Sequence, residues 1–307
     1  MVVIRVPATT ANLGPGFDTL GMALNMYNYI SMAEIDSGLI IDANGNGAEK
    51  VPRDTSNLAY KAAAKIFEEV HYKPRGLKIE INSNIPMARG LGSSASVIVG
   101  GMVAANYISG NKLNYDQILH LAAHIEGHPD NVAPALFGGI VVSAQFDKET
   151  VYRKIKPPAD LTTVVAIPDY ALSTKMARDA LPAKVPLGDA VYNMSRVSLL
   201  VWALMTSDME LMGKAMEDKL HQPYRMPLIP GMDKVIKAAK DMGTYSVALS
   251  GAGPTLIAFC TSSNAETIGA AMKDAFKKSG VQCFVKNLNP DINGIKIVKE
   301  EDMLLWG

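Results

Sequence analysis

The chain has 307 residues, of which 48% are hydrophobic and 20% charged, a balance that supports a folded core and excludes a disordered chain. Lys plus Arg and Asp plus Glu each number 30, so the net charge is zero and no electrostatic footprint for nucleic acid is expected. No apolar run reaches the ~18 residues of a membrane span, and the N-terminal apolar stretch is too short for a signal peptide. We therefore expect a cytoplasmic enzyme or small-molecule binder with no membrane partner.

The first half of the chain predicts strands and helices in alternation. Leu58, Ala62, Ile66 and Val70 recur every four residues, which is typical of one face of an amphipathic helix. The predicted strands are 2–6, a hairpin of 27–35 with 39–43, the alternating strand 76–86, and a second hairpin of 137–146 with 151–156. The predicted helices are 57–71, 94–109 and 115–126.

A joint is predicted at Pro157–Leu161, which divides the chain into units 1–158 and 159–307. The second unit alternates strands and helices without a clean βαβ repeat, which favours an α+β sandwich over a doubly wound sheet. Its predicted strands are 162–168, two strands joined by a glycine turn within 244–260, and 281–287. Its predicted helices are 175–181, 189–205, 208–219, 232–242 and 264–279.

A glycine- and serine-rich turn, Gly90–Ser94, lies between the strand that contains Ile79–Ile81 and the apolar helix that follows. Strand, glycine turn and helix together make an anion site, because free N–H groups and the helix dipole meet in the turn. The segment is neither a Walker A loop, since its lysine is missing, nor a GxGxxG motif. The alternative is a plain helix N-cap by Ser93 or Ser94.

Three histidines raise the alternative of a zinc site. His120 and His124 are four residues apart and would share a helix face. Gly127 and Pro129 should end the helix before His128, and no HExxH motif is present. We therefore expect these histidines to be ordinary core and surface residues.

Three motifs carry a resemblance to a known family. PMARGLGSSAS (Pro86–Ser96), PATTANLGPGFDTLGMAL (Pro7–Leu24) and SGAGPTLIAF (Ser250–Phe259) are similar to the central, N-terminal and C-terminal signatures of the GHMP kinases. The first motif in the chain, together with EGHPDNVAPALFGG (Glu126–Gly139) and HQPYR (His221–Arg225), resembles the homoserine kinase branch. The resemblance covers the chain from end to end.

The resemblance implies a two-domain α+β fold, with an N-terminal sandwich like ribosomal protein S5 domain 2 and a C-terminal ferredoxin-like sandwich. It implies ATP-dependent phosphorylation of the L-homoserine hydroxyl in threonine biosynthesis, in a cleft between the halves. It is compatible with a homodimer. The residues implied for the nucleotide are Pro86, Met87, Ala88, Arg89, Gly90, Leu91, Gly92, Ser93, Ser94, Ala95, Ser96, Gly251 and Gly253.

The resemblance also assigns a metal and an acceptor site. Ser94 and Glu126 would hold Mg²⁺, which prefers hard oxygen ligands. The residues implied for the acceptor are Asp18 for its ammonium, Arg196 and Arg225 for its carboxylate, and Asn12, His128 and Asn131 as orienting groups. Asn12, Asp18, Ser94, Glu126 and Asn131 are also implied in catalysis, which we expect to work by positioning and electrostatics without a dedicated base.

Without the resemblance, simpler interpretations would hold. Asn12 and Asp18 would cap turns, Glu126 would be an exposed acid at a helix end, Arg196 would be a surface residue, and Ser250–Pro254 would be a plain strand–strand turn. The alternative functions are a GHMP kinase for a sugar or isoprenoid alcohol, and a non-catalytic nucleotide- or amino-acid-binding protein on the same fold.

Overall fold

The computed structural model describes residues 1–298, which form a seven-stranded and a four-stranded β-sheet with flanking helices. In chain order the strands are β1 Val2–Ala11, β2 Leu20–Glu34, β3 Gly38–Gly45, β4 Gly76–Ser83, β5 Ile140–Gln145, β6 Thr150–Ile155, β7 Thr162–Pro168, β8 Ser246–Leu249, β9 Leu256–Cys260, β10 Cys283–Leu288 and β11 Lys296–Val298. The α-helices are α1 Leu58–Glu69, α2 Ser93–Ile108, α3 Tyr115–Glu126, α4 Pro129–Phe137, α5 Thr174–Asp179, α6 Leu187–Thr206, α7 Met209–Ala215, α8 Gln222–Arg225, α9 Met232–Asp241 and α10 Ala265–Lys278.

The first sheet has the order β11-β1-β2-β4-β3, and β5 and β6 extend it from β2. The predicted hairpin of 27–35 with 39–43 is wrong, because β4 lies between these strands. It pairs antiparallel with β2 and parallel with β3. A parallel pair needs a crossover connection, and α1 supplies it between β3 and β4. The predicted hairpin of β5 with β6 is confirmed.

Helices α1 to α4 cover one face of the first sheet and share a core with it. α2 lies deepest: its small apolar residues, from Ala95 to Ala105, are buried almost without interruption. α4 was not predicted from the sequence. It begins directly after His128 with Pro129 in its first turn, where the missing N–H of proline costs no helix hydrogen bond.

The second sheet is antiparallel and has the order β10-β7-β9-β8. With helices between β7 and β8 and between β9 and β10, this is the β-α-β-β-α-β arrangement of ferredoxin-like sandwiches. α9 and α10 pack in a core on one face. α6 and α7 pack in a second core that joins the other face to the first sheet. The predicted two-domain α+β fold is confirmed.

The last strand returns to the first sheet, where β11 pairs antiparallel with β1 and Val298 lies opposite Val3. The joint at Pro157–Leu161 lies between β6, which belongs to the first sheet, and β7, which is the first strand of the second sheet. The division into 1–158 and 159–307 stays a prediction, and β11 belongs to the sheet of the first unit. Among residues 1–298, the helices are all too short or too polar to cross a bilayer.

Candidate active site

A cleft brings together residues from both halves of the chain. Its walls are formed by the segment before β2, the glycine turn before α2, the α3–α4 junction, α5, α8 and the β8–β9 turn. The lining residues are Asn12, Phe17, Asp18, Ala88, Arg89, Gly90, Leu91, Gly92, Ser93, Ser94, Glu126, His128, Asp130, Asn131, Leu172, Thr174, Arg178, Arg225, Gly251, Ala252 and Gly253.

The start of α2 is an open anion site. Its N-cap is Gly92, with a φ of 68° in the left-handed region, and no side chain caps the helix. The alternative of a cap by Ser93 or Ser94 is therefore wrong. The N–H groups of Ser93, Ser94 and Ala95 donate no hydrogen bond to any atom of the part of the chain that the structure describes. Free donors at the positive end of a 16-residue helix suit a phosphate group.

The glycines of this turn are required by close packing against the other two motifs. A Cβ atom on Gly92 would lie 1.9 Å from the Thr9 hydroxyl oxygen. A Cβ atom on Gly90 would lie 2.2 Å from the Ser250 carbonyl oxygen. The Ser250 hydroxyl in turn donates to the Gly90 carbonyl at 2.6 Å. Glycine thus lets the β8–β9 turn approach the phosphate turn from the second half of the chain.

Ser94 and Glu126 form an oxygen pair at the edge of the anion site. The Ser94 hydroxyl donates a 2.9 Å hydrogen bond to the Glu126 carboxylate, and α3 ends there because Gly127 adopts the left-handed conformation. Burial raises the pKa of the Glu126 carboxyl, although the hydrogen bond from Ser94 opposes the shift. A carboxylate destabilised by burial gains from an adjacent cation. A hydroxyl and a carboxylate are ligands that Mg²⁺ prefers, so this pair fits the ion.

Asn12 joins the first motif to the third. Its side-chain oxygen accepts a hydrogen bond from the Asp18 backbone N–H at 3.1 Å, and its amide nitrogen donates to the Gly251 carbonyl at 3.0 Å. Its φ of 74° places the backbone in the left-handed region, which asparagine tolerates better than most residues. Asn12 lines the cleft, but its hydrogen bonds show that it shapes the loop that carries Asp18.

Asp18 is held by an arginine that the sequence analysis did not assign. The two terminal nitrogens of Arg178, on α5, donate to the two carboxylate oxygens of Asp18 at 3.1 and 2.8 Å. This is the bidentate geometry in which guanidinium groups bind carboxylates. The pair is partly exposed, with 38% of the Arg178 side chain and 32% of the Asp18 side chain accessible. A carboxylate and a guanidinium therefore lie side by side in the cleft, and both remain accessible to a ligand.

Arg225 is a second guanidinium in the cleft and is almost fully buried. Its Nε donates to the Ala177 carbonyl, and one Nη donates to the Gly251 carbonyl and to the His221 ring. The other Nη makes no hydrogen bond with residues 1–298. Burial, with repulsion from Arg178, lowers the pKa of Arg225 to about 10. The group stays charged at neutral pH and keeps donors for an anionic ligand.

His128, Asp130 and Asn131 lie together at the start of α4. The His128 Nδ1 lies 2.5 Å from an Asp130 oxygen. Burial alone would lower the pKa of His128, but Asp130, Asp18 and Glu126 outweigh it and raise that pKa. Asn131 accepts a hydrogen bond from the Thr9 hydroxyl at 2.8 Å. His128, Asp18 and Asp130 also have ligand atoms within 4.8 Å of one another, so this wall attracts cations.

Arg196 does not line the cleft, so its assignment to the acceptor carboxylate needs correction. It lies on α6, where its guanidinium stacks 3.5 Å from the centre of the Tyr192 ring and lies 3.8 Å from Glu217. The arginine that stands opposite Arg225 in the cleft is Arg178. Arg178 follows an alanine and Arg196 follows a serine, each within a helix, so no local signal in the sequence separates them.

Four residues assigned to the nucleotide are not among the residues that line the cleft. Ser96 is fully buried, donates to the Ser93 carbonyl and accepts a hydrogen bond from Asn28, so it secures the helix start against β2. The others of this group are Pro86, Met87 and Ala95. They belong to the motif because they shape the turn.

The zinc alternative is not supported. His120 and His124 do lie together, with their Nε2 atoms 3.2 Å apart. His128 is separated from them by the helix end at Gly127 and lies in the cleft, as the glycine and proline predicted. In residues 1–298, no group of three potential ligands includes His120 or His124.

The chain matches two family models described as the GHMP kinases N terminal domain, over residues 57–139, and the GHMP kinases C terminal domain, over residues 200–278. The homoserine kinase of Moorella thermoacetica is 51% identical over 97% of this chain and 100% of its own length. The homoserine kinase of Carboxydothermus hydrogenoformans is 48% identical over 96% of both chains.

Solved structures agree with this relationship. The crystal structure of homoserine kinase from Cytophaga hutchinsonii matches with a TM-score of 0.89 and 33% identity, over 97% of both chains. The mevalonate kinase of L. major, in complex with R-mevalonate, matches with a TM-score of 0.71 over 94% of this chain and 95% of its own. Its identity is 16%, so that match concerns the fold alone.

Proposed function

The chain belongs to the homoserine kinases of the GHMP kinase family, and from this premise we propose that its cleft transfers the γ-phosphate of ATP to the side-chain hydroxyl of L-homoserine. The products are O-phospho-L-homoserine and ADP. The observation that carries the proposal is the pairing of Asp18 with Arg178, next to Arg225 and beside the open start of α2. The acidic and basic side chains complement a zwitterionic acceptor, and the start of α2 complements a phosphate chain.

The triphosphate binds at the start of α2. The free N–H groups of Ser93 and Ser94 donate to phosphate oxygens, and the helix dipole adds positive potential at no cost in reorganisation. Arg89 lines the same wall and is only 17% exposed. Binding the reacting phosphoryl group through the backbone fixes its position, which is the main demand of phosphoryl transfer.

Mg²⁺ would be held by the Ser94 hydroxyl and the Glu126 carboxylate, and their 2.9 Å separation supports this assignment. When bound, the ion neutralises charge on the phosphate oxygens. The protein's contribution is to keep the Glu126 carboxyl partly buried, where it binds a cation more strongly than a fully solvated acid would.

Homoserine carries an ammonium and a carboxylate on one carbon, and it enters by exchanging partners with the ion pair. The ammonium takes the place of Arg178 beside Asp18, with Asp130 adding to the negative charge of this wall and His128 beside them as an orienting group. The carboxylate takes the guanidinium of Arg178 and the free Nη of Arg225. The exchange leaves no charge unpaired, so the desolvation cost of a buried ion is avoided on both sides.

The reaction then needs the acceptor hydroxyl to be aligned with the γ-phosphorus. The hydroxyl oxygen forms a bond to phosphorus while the bond from phosphorus to the ADP oxygen breaks, and the hydroxyl proton passes to solvent water. No lysine lines the cleft in residues 1–298, and in the proposed complex Asp18 is engaged by the ammonium of the substrate. We therefore retain catalysis by positioning and electrostatic stabilisation, without a dedicated base. Asn131 remains the orienting amide, and Asn12 acts through the loop.

A kinase for an uncharged sugar or isoprenoid alcohol is the alternative within this fold. An uncharged acceptor would leave Asp18, Arg178 and Arg225 without partners on the substrate, which disfavours it. The test is an ADP-release assay with ATP and Mg²⁺ across homoserine, mevalonate, galactose and shikimate. We expect turnover with homoserine alone. Preference for an uncharged alcohol would overturn the acceptor assignment, and ATP binding without turnover of any acceptor would favour a binding protein.

Magnesium dependence and a cytoplasmic location are part of the same proposal. The first is checked by chelation of Mg²⁺ in the ADP-release assay, which should abolish turnover. The second is checked by fractionation of cells that produce the protein.

A further inference from the structure

One imidazole connects the loop that carries Asp18 to the helix that carries Arg225. His221 lies directly before α8 and is fully buried, and it is not among the residues that line the cleft. Its Nε2 lies 2.7 Å from the Gly14 carbonyl oxygen, and its Nδ1 lies 3.3 Å from a terminal nitrogen of Arg225. The ring therefore bridges the two groups that are proposed to bind the ammonium and the carboxylate of the acceptor.

The two contacts fix the tautomer of His221. A carbonyl oxygen can only accept a hydrogen bond, so Nε2 carries the proton that Gly14 receives. A guanidinium can only donate, so Nδ1 keeps its lone pair for Arg225. Burial lowers the pKa of His221, although Asp218 opposes the shift, and this keeps the ring neutral. One tautomer of the neutral ring satisfies both neighbours.

Asp218 holds the same loop and the same helix start. Its carboxylate is fully buried and accepts hydrogen bonds from the backbone N–H groups of residues 220–222. It also accepts a 2.8 Å hydrogen bond from the Asn193 amide, which donates to the Pro15 carbonyl as well. The position of His221 is therefore set by its backbone as well as by its ring.

Phe17 packs against His221 and against both guanidinium groups of the cleft. Its ring stacks on the imidazole with the ring centres 5.2 Å apart. The guanidinium carbons of Arg225 and Arg178 lie 5.2 and 5.5 Å from the centre of the same ring. Two guanidinium groups repel each other, but the negative face of an aromatic ring attracts a cation. Phe17 therefore helps to hold both arginines beside His221 while they remain charged.

We infer that His221 is a positioning residue that fixes the distance between Asp18 and Arg225, and that it thereby selects acceptors with an ammonium and a carboxylate on one carbon. The inference rests on the proposed function, since it takes homoserine as the acceptor. A zwitterion must reach both charges at once, and a misplacement of about 1 Å is enough to impair a reaction that depends on positioning. An acceptor without the carboxylate does not depend on that distance.

Two substitutions at His221 each break one of its contacts. A glutamine can place its amide nitrogen near the position of Nε2, so His221→Gln keeps the donor to Gly14 and loses the acceptor for Arg225. An asparagine can place its amide oxygen near the position of Nδ1, so His221→Asn keeps that acceptor and loses the donor. If both contacts position the site, the two variants should share one kinetic defect.

Steady-state ADP release measures this defect. Each variant should raise the KM for homoserine by ~10-fold or more at nearly unchanged kcat, because the carboxylate is bound in both the ground state and the transition state. The KM for ATP, and kcat/KM for 3-aminopropan-1-ol, should change by less than about threefold, because neither depends on the carboxylate contact. His124→Gln, at an exposed histidine of α3, is the matched control and should behave as the wild type does.

Phe17 gives a second test that does not depend on the folding of a variant at a fully buried position, since Phe17 is only partly buried. Phe17→Leu removes the ring and should raise the KM for homoserine selectively, whereas Phe17→Tyr keeps the ring and should retain the wild-type KM. Equal KM values for these two variants would count against the inference.

The outcomes separate the inference from the proposed function on which it rests. If folded His221 variants lose activity toward homoserine and 3-aminopropan-1-ol by the same factor, His221 has only a structural role and the inference is overturned. A wild type that prefers homoserine, with His221 variants that keep this preference, overturns the inference and leaves the proposed function intact. A wild type without that preference overturns both.

Discussion

The substitution Arg178→Ala tests the acceptor site with little effect on the stability of the fold. Arg178 donates two hydrogen bonds to Asp18 in the free protein and is proposed to bind the homoserine carboxylate in the complex. Because the ion pair is about one-third exposed on both sides, solvent screens it, and its loss should cost at most ~1 kcal/mol of folding free energy. The melting temperature should fall by no more than ~2–4 °C.

Catalysis should suffer far more than folding. A hydrogen bond between charged groups contributes roughly 1.5–3 kcal/mol, so Arg178→Ala should lower kcat/KM for homoserine by ~10- to 100-fold. Most of the loss should appear in the KM for homoserine, since the carboxylate is bound in both the ground state and the transition state. The KM for ATP should change by less than about tenfold, because the phosphates are held at the start of α2.

The assay is steady-state ADP release with homoserine and with 3-aminopropan-1-ol, which lacks the carboxylate. The analogue should be a poor substrate for the wild type and lose little more in Arg178→Ala, because the interaction is already missing and the two changes cannot add. Arg196→Ala is the matched control: it removes an arginine of the same half of the chain that lies on α6, outside the cleft.

Two results would refute this reasoning. If the losses from the analogue and from Arg178→Ala multiply, Arg178 does not contact the carboxylate. If Arg196→Ala is the more damaging variant, the assignment made from the sequence is right and the cleft geometry has been misinterpreted.

Ser94→Ala and Glu126→Gln should each abolish most turnover and raise the Mg²⁺ requirement while the circular dichroism spectrum stays native; an unshifted Mg²⁺ titration would contradict the metal assignment. Gly92→Ala, at a positive φ with a Cβ 1.9 Å from a neighbouring oxygen, should unfold at lower denaturant than Gly110→Ala, whose φ is also positive but whose Cβ meets no atom within 4 Å; equal losses would show that backbone strain alone matters. Burial lowers the pKa of His221, so the unfolded chain takes up the proton first and stability should fall as the pH drops below ~6.5. His221→Asn, which cannot titrate, should flatten that dependence in urea melts; an unchanged slope would exclude His221 as its source.

Helices and strands were predicted correctly where the pattern that defines them lies within one short segment of the sequence. α3 begins and ends at the predicted residues, because Asn114 caps it and Gly127 terminates it. The predicted pairing of β2 with β3 was wrong, because nothing in either segment indicates that β4, more than thirty residues later, will lie between them. Strand order depends on which hydrophobic faces meet in the core, and that is a property of the whole chain.

The site was predictable where motifs are contiguous and not where it depends on the meeting of distant segments. Ser94 and Glu126 were paired through the resemblance, and the structure brings their oxygens together. Arg178 was missed because its helix, α5, has six residues and no distinctive pattern. Asp130 was missed because α4, which carries it into the cleft, was itself not predicted. Only the folded backbone distinguishes Arg178 from Arg196.

The return of β11 to the edge of β1 sets the order of events during synthesis. Val3 leaves the ribosome near the start of translation, but its partner Val298 is added 295 residues later. At ~5–20 residues per second, β1 waits roughly 15–60 s with one edge unpaired. An open strand edge is a template for pairing with other chains, so nascent copies on one messenger are most exposed to misassembly during that interval. Slow translation of the second half lengthens the interval, and a chaperone that covers the β1 edge would shorten the exposure.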